Sequence, residues 1–367
     1  MAMEEDGILT YMARYDYENL YICQERETGL RAIIALHDTT LGPATGGCRM
    51  WTYARESDAI EDALRLARGM TYKYAAAGVN LCGGKCVVVG DPRTGKSEAL
   101  FRALGRFIDR LGGVYIVGED VGTTLRDMEY IRMETPYVVT LPRELGGAGD
   151  IAPATARGTL QGMRAACLAA FGTPELGERS VAVQGLGMVG AHVLALLRAA
   201  GATVYVADID ARRAAELAAR HGATVVPPER IHALDVDVYS PCALGSVVDD
   251  TTLPQLRCKV IAGCANNQLA TIEHGDLLRE RGILYAPDYI INAGGTIFDT
   301  DRLQPGGFNE ERAWTHVDRI FETMSGLIEV SQREGIAPAR AADLLAERRL
   351  AAARSVQNIR RDVRIVM

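Results

Sequence analysis

Residues 180–208 constrain this chain more than any other stretch. Ser180-Val181-Ala182-Val183-Gln184 is a short apolar, β-branched run, and Gly185-Leu186-Gly187-Met188-Val189-Gly190 follows it directly. A helical pattern then runs from Ala191 to Ala200, and a second apolar run, Thr203 to Ala207, ends at Asp208 and Ile209. A glycine-rich turn that leaves one strand and opens a helix, with an acid closing the next strand, is an arrangement that binds a dinucleotide. In it Gly185 permits the tight turn, Gly187 lets backbone approach a pyrophosphate, and Gly190 lets helix and strand touch. Met188 and Val189 complete the loop, and the helix N-terminus offers N–H groups to phosphates. Asp208 accepts hydrogen bonds from ribose hydroxyls and repels a 2′-phosphate, which favours NAD over NADP. Arg212 and Arg213 follow closely and leave room for some NADP tolerance.

A chain of 367 residues exceeds the roughly 250–300 residues that one core usually serves, so two domains are expected. Short apolar runs at 236–239, 259–262 and 283–285 continue a parallel sheet around the dinucleotide unit. The first third alternates too: a strand at 32–36, a helix at 57–70 with Ser57 as N-cap, a strand at 86–89 bounded by Gly84, a helix at 97–111 and a strand at 114–117. The Gly- and Pro-rich loop at 141–150 breaks the pattern. The division is therefore placed at 1–145 with 336–367 for an α/β substrate and oligomerisation domain, and 146–335 for a Rossmann domain. From Asn309 the chain reads as two long amphipathic helices punctuated by Gly335 and Pro338.

Composition narrows the class. A net charge of −7, with no long basic block, excludes a nucleic-acid backbone or an anionic membrane as partner. No run approaches the ~20 apolar residues of a membrane span, and the acidic N-terminus lacks the pattern of a secretion signal, so a cytoplasmic protein is expected. Eight scattered cysteines without CxxC pairs read as reduced thiols; Cys82 and Cys86 find no histidine at ligand spacing, and no metal is expected.

Of 40 basic residues only four are lysine, and two of these, Lys73 and Lys85, lie twelve residues apart in one Gly-rich segment. Where arginine has otherwise replaced lysine, a retained lysine points to an ammonium that must be compact or lose its proton. Two ammonium groups in one desolvated place lower the pKa of at least one, and a neutral lysine can act as general base. Asp120, just past a strand in Gly118-Glu119-Asp120-Val121-Gly122-Thr123, is a candidate proton partner.

Together these segments resemble the glutamate/leucine/phenylalanine/valine dehydrogenase family, nearest its leucine branch. The motifs run in order along nearly the whole chain: Leu41 to Trp51, Gly69-Met70-Thr71-Tyr72-Lys73, Gly83-Gly84-Lys85, Glu119 to Thr123, Gln184 to Gly187, Pro241-Cys242-Ala243-Leu244-Gly245, Ala265-Asn266-Asn267-Gln268 and Ala286 to Gly295. The resemblance implies NAD-dependent, reversible oxidative deamination of an L-amino acid to its 2-oxo acid and ammonia. It implies that Lys73 binds the substrate carboxylate with Gly46, Gly47 and Asn267, that Lys85 is the base, and that Asp120 shuttles protons. Met70 joins the substrate set; Thr155, Cys242, Ala243, Leu244, Asn266 and Asn292 position the nicotinamide. Self-association into dimers, and in some relatives octamers, is implied as well.

The side-chain pocket departs from a leucine pattern at Thr45, Gly118, Thr296 and Asp299. Gly118 enlarges the pocket, and the hydroxyls and carboxylate disfavour a purely aliphatic substrate, since buried polar groups without partners cost about 1–3 kcal/mol each. The expectation is an aromatic, hydroxy- or amino-aromatic, or basic amino acid. The alternative is an ordinary leucine, valine or phenylalanine pocket, with Asp299 turned toward Arg302. A non-catalytic dinucleotide-binding protein would be expected to have lost Lys73, Lys85 or Asp120, and a hydroxy-acid dehydrogenase to carry a His–acid pair; neither fits this sequence.

Overall fold

The computed structural model describes residues 7–243 and 245–357. Their contacts separate into two compact units. One contains the residues up to Gly149, Arg302–Phe308 and those from Ala346 on; the other contains Asp150–Asp301 and Asn309–Leu345.

In the first unit the chain forms α1 (Ile8–Arg14), β1 (Asn19–Glu25), β2 (Leu30–Leu36), β3 (Ala44–Trp51), α2 (Glu56–Ala76), β4 (Cys82–Val89), α3 (Glu98–Arg110), β5 (Tyr115–Glu119) and α4 (Leu125–Arg132). The strands lie in the order β1-β2-β4-β3-β5. β2 is antiparallel to β1 and β4, whereas β3 is parallel to β4 and β5. One sheet face carries α3 and α4 through Phe101, Leu104, Ile108, Met128 and Ile131. The other carries α2 through Ala59, Ala63, Leu64 and Ala67 against Ile33, Ala35 and Val87. With both faces covered, the central strands are apolar almost throughout rather than alternating.

Several boundaries differ from the sequence expectation for packing reasons. β4 starts at Cys82, so Gly83 and Gly84 are inside the strand rather than a lead-in to it. They are glycines because neighbours press on them: a Cβ at Gly83 would lie 2.0 Å from the Ala67 carbonyl oxygen, and one at Gly84 2.7 Å from the Tyr115 ring. The small residues of β3 likewise hid a strand from periodicity. α2 is capped at Arg55, not Ser57, and runs beyond Met70, which puts Lys73 in its last turn. β5 extends to Glu119 and so takes in Gly118.

The second unit comprises α5 (Ala152–Phe171), β6 (Ser180–Gln184), α6 (Met188–Ala199), β7 (Thr203–Ala207), α7 (Ala211–His221), β8 (Thr224–Val225), β9 (Val238–Pro241), β10 (Val260–Ile261), α8 (Ile272–Glu280), β11 (Leu284–Tyr285), α9 (Asp288–Ile291), α10 (Gly294–Thr300), α11 (Glu310–Asp318) and α12 (Ile320–Glu334). α13 (Pro338–Gln357) starts in this unit and ends in the first. Its sheet, β11-β10-β9-β6-β7-β8, is parallel throughout, and the strand order reverses between β6 and β9. That reversal is the switch point at which doubly wound sheets bind ligands. α6 begins at Met188 rather than Ala191, because Gly187 is already its N-cap. A break at Arg319 makes three helices where the sequence read two. Among the described residues no helix is long and apolar enough to cross a membrane.

A buried hydrogen-bond relay fixes α2 on β4. The Gly83 N–H donates to Thr71 Oγ1 at 2.8 Å, and His37 Nδ1 lies 2.9 Å from the same hydroxyl. His37 Nε2 faces the Tyr15 carbonyl at 3.2 Å, so it carries the proton and Nδ1 accepts from Thr71. Burial first, then the Arg68 charge, pushes the His37 pKa down to about 4. Below pH 6.5 the unfolded chain takes up a proton that the native chain refuses until about pH 4, so stability falls as pH falls through that window. The loss is expected to total about 3 kcal/mol at 1.4 kcal/mol per unit. Denaturant unfolding between pH 7 and 4 measures it, and His37→Gln should make the decline shallower; an unchanged slope would show that His37 does not contribute.

Candidate functional site

In the first unit, chemistry gathers where β3, β4 and β5 lie side by side. Lys85 on β4 is 3% exposed, and its Nζ lies 3.0 Å from Asp120 Oδ1. An ammonium so buried requires a counter-charge, and Asp120 supplies it. The other carboxylate oxygen, Oδ2, accepts from Arg49 Nε at 2.9 Å. Burial pushes the Asp120 carboxyl up, but the Lys85 and Arg49 charges and hydrogen bonds outweigh it and hold the group below its ordinary value. Its backbone is pinned as well: the Asp120 N–H donates to Thr123 Oγ1 at 3.0 Å, and that hydroxyl lies 2.7 Å from the Cys48 carbonyl.

The glycines of β3 make this approach possible. A Cβ at Gly47 would lie 2.6 Å from Asp120 Cβ, and one at Gly46 1.8 Å from the Gly84 carbonyl. Tyr115 reaches across beneath them to donate to the Gly46 carbonyl at 2.8 Å. Gly118 pairs in register with Gly47. Thr45 is fully buried, with its hydroxyl 3.4 Å from the Pro43 carbonyl. The Met70 side chain packs over Gly46. Lys73 follows Thr71 by two residues, as Lys85 follows Gly83, so the relay through Thr71 registers the two lysine-bearing segments.

The second unit holds a separate cluster at its switch point. Gly185 has φ +98, and a Cβ there would meet Ala243 Cβ at 2.6 Å; one at Gly190 would meet the Gly185 carbonyl at 2.1 Å. Protein packing therefore requires both glycines. Gly187 is different. Its φ of −60 suits any residue, and an added Cβ has nothing within 4 Å. Nothing in the protein demands a glycine there, and the bare position leaves the first turn of α6 open to the close approach of an anion. Asp208 accepts from the Leu186 N–H at 2.6 Å and the Asp210 N–H at 2.9 Å, which sets its carboxylate beside that turn. Met188 and Ile209 are exposed apolar side chains, Ile209 at 98%, with Val189 half-buried between α6 and solvent.

Beyond β9 and β10, Asn292 Nδ2 donates to Asn266 Oδ1 at 2.7 Å and to the Cys264 carbonyl at 3.2 Å. Asn267 holds φ +53, a left-handed conformation that asparagine tolerates, and its carbonyl accepts the Ser246 N–H at 2.6 Å. Cys242 stands beside Gly190, with its N–H on the Gln184 carbonyl at 2.7 Å. Thr155, in the first turn of α5, packs against Gly295, while Thr296 and the buried Asp299 lie on α10. Leu244 lies outside the described residues. Among those residues no group of three or more His, Cys, Asp or Glu is placed to hold a metal ion.

Residues 19–137 match the Glu/Leu/Phe/Val dehydrogenase dimerisation domain, and residues 206–357 match the glutamate/leucine/phenylalanine/valine dehydrogenase domain. A leucine dehydrogenase from Bacillus cereus is 54% identical over 94% of this chain and 93% of its own length. The chain belongs to the glutamate/leucine/phenylalanine/valine dehydrogenase family. A phenylalanine dehydrogenase from Thermoactinomyces intermedius is 44% identical over 94% of each chain. The crystal structure of L-tryptophan dehydrogenase from Nostoc punctiforme superposes with a TM-score of 0.83 at 40% identity, over 95% of this chain and 100% of that one. The protein is thus an amino-acid dehydrogenase, an oxidoreductase acting on a CH–NH2 group, of a family that uses NAD(P), and it carries that family's dimerisation domain.

Sequence reasoning passed over Arg49, Asp62 and Tyr53. Arg49 Nη1 reaches Asp62 Oδ2 at 2.9 Å, and the Tyr53 hydroxyl donates to the same oxygen at 2.6 Å. Arg49 stood inside a quoted motif, but without β3 recognised as a strand its direction was not readable.

Gly187 and Gly190 answer to different demands, one open and one set by packing. Gly187→Ala should leave unfolding stability within about 1 kcal/mol of the parent while weakening dinucleotide binding by roughly tenfold or more. Gly190→Ala should cost about 1–3 kcal/mol through overpacking. Denaturant unfolding with fluorescence titration of the dinucleotide measures both, and undiminished binding by Gly187→Ala would contradict the assignment.

Proposed function

We propose that the enzyme catalyses NAD-dependent, reversible oxidative deamination of an L-amino acid to its 2-oxo acid and ammonia, with Lys85 as the base. The observation that carries this reading is the ion pair between the buried Lys85 and the partly buried Asp120, 3.0 Å apart and so placed to exchange a proton. Lys85, once deprotonated, takes the proton of the substrate ammonium. The nitrogen lone pair then forms the C=N bond as hydride leaves Cα. The nicotinamide supplies the acceptor for that hydride. Lys85 passes that proton to Asp120 and then takes one from the water that adds to the imine; Asp120 returns its proton to the carbinolamine nitrogen and takes the hydroxyl proton as ammonia leaves. Lys73, with Gly46, Gly47 and Asn267, holds the substrate carboxylate.

The preference for NAD over NADP rests on Asp208 and on how its neighbouring arginines are engaged. Arg212 pairs with Glu216 at 2.8 Å, and Arg213 Nε donates to the Leu186 carbonyl at 2.5 Å, so each guanidinium has a partner within the protein. Thr155, Cys242, Ala243, Leu244, Asn266 and Asn292 are assigned to the nicotinamide end, and Gly185, Gly187, Met188, Val189, Gly190, Asp208 and Ile209 to the rest of the dinucleotide. The dimerisation domain supports a homodimer or a larger assembly built from it.

For the side chain of the substrate we favour one larger or more polar than leucine. Gly118 offers no side chain to fill its place on β5, Asp299 is a buried acid, and a relative of 40% identity is named a tryptophan dehydrogenase. A leucine pocket is the second reading, supported by the 54% identical leucine dehydrogenase and by the Thr45 hydroxyl turning to its own backbone. Reduction of NAD with a panel of aliphatic, aromatic and basic L-amino acids decides between them: the highest kcat/KM on an aromatic or basic substrate is expected, and leucine or valine ranking first would overturn the choice. Lys85→Ala should lower kcat about 10²–10⁴-fold on whichever substrate is best, and near-wild-type turnover would refute the base.

A further inference from the structure

Behind the Lys85–Asp120 pair, the charges continue outward in alternation. Asp120 Oδ2 is held by Arg49 Nε at 2.9 Å, Arg49 Nη1 by Asp62 Oδ2 at 2.9 Å, and Asp62 Oδ2 also accepts the Tyr53 hydroxyl at 2.6 Å. Arg49 thus grips two carboxylates from different elements, Asp120 after β5 and Asp62 on α2, with about a quarter of its own side chain exposed. Each carboxylate fixes one edge of the planar guanidinium, so its orientation is determined from both sides. A guanidinium does not give up its proton in proteins, so Arg49 cannot relay one; it acts as a fixed charge and a fixed fork.

We propose that Arg49, braced by Asp62 and Tyr53, is a positioning residue that fixes the rotamer and charge of Asp120 opposite Lys85. The proposal rests on the assignment of Lys85 and Asp120 as the proton-transferring pair. Two features of the geometry carry it. Without Arg49, Asp120 Oδ2 faces the space beside Asp62, a like charge, and the carboxylate has reason to rotate away from Lys85. With Arg49, the two oxygens are divided, Oδ1 to Lys85 and Oδ2 to Arg49, and only one rotamer satisfies both.

The groups facing Asp120 are Lys85 on β4 and Arg49 on β3, with the Tyr115 hydroxyl, Tyr53 and Asp62 beyond them and Arg65 3.7 Å from Asp62. Removing the fixed positive charge of Arg49 from beside the Lys85–Asp120 pair makes a proton held between them harder to lose. The limb of the pH–rate profile that reports this pair therefore moves to higher pH when Arg49 is neutralised.

The outer side of the brace opens into a cavity of about 470 Å³ lined by Arg49, Trp51, Tyr53 and Asp62 among others. A small cation can reach the place of a missing guanidinium through it, which provides a test that a purely structural role does not satisfy. Arg49→Ala should lower kcat roughly 10²-fold, the scale of a misplaced catalytic group, with the pH–rate limb displaced upward and with little change in KM for the amino acid. Millimolar ethylguanidinium should restore at least a tenth of the lost activity, whereas ethylammonium at equal concentration should restore less. Arg49→Lys, which keeps the charge but not the fork, should keep the pH limb near its original place while kcat stays reduced. A wild-type pH profile in Arg49→Ala, or activity that ethylguanidinium does not raise in protein shown by circular dichroism to be folded, overturns the positioning role. Full turnover by Lys85→Ala would instead sink the underlying assignment, so the two failures are distinguishable.

Discussion

A lysine ammonium with only 4% of its side chain exposed, in the middle of a β-strand, is the constraint from which the first unit follows. Removing such a charge from water costs several kcal/mol unless a well-placed counter-ion recovers it. Asp120 recovers it, and the surrounding sequence is understandable as the means of bringing that carboxylate to 3.0 Å and keeping it there. Gly46, Gly47, Gly83 and Gly84 let β3, β4, α2 and Tyr115 close to distances that any Cβ forbids. Thr123 ties down the backbone of Asp120, and Thr71 with His37 ties α2 to the strand that bears Lys85. Local packing and chemistry coincide here: the residues that look most permissive are those under the tightest steric control.

The glycine-rich turn of the second unit shows the opposite relation at one position. Gly185 and Gly190 are demanded by contacts inside the protein, and Gly187 by none of them. A residue whose identity the folded chain does not explain points to something outside the chain, which the proposed function supplies as a dinucleotide at the first turn of a helix beside a carboxylate-ended strand. The exposed apolar side chains of Met188 and Ile209 beside the same turn fit that account, since water is a poor neighbour for both.

Much of this is written in the sequence itself. β6, α6 and β7 were legible because a strand-turn-helix-strand unit states its period change and its punctuation locally. Lys73, Lys85 and Asp120 stood out through the scarcity of lysine and their place among glycines. β3 was not legible, because Ala44-Thr45-Gly46-Gly47 carries no β-branched signal strong enough to outweigh two glycines whose purpose is distant neighbours, Gly84 for Gly46 and Asp120 for Gly47. The same holds for the start of β4 at Cys82. Arg49 escaped attention because its role depends on two carboxylates, at 62 and 120, that only folding brings to one guanidinium. Tertiary contacts override local propensity where glycine marks close approach rather than a turn.

The central claim, that the amine at position 85 is the base of the reaction, is tested most directly by restoring it from solution. In a folded Lys85→Ala enzyme, turnover should rise with the concentration of added primary amines and, among amines of similar size, with their basicity. Turnover in that variant that is insensitive to every amine, while dinucleotide and substrate still bind, would contradict the account.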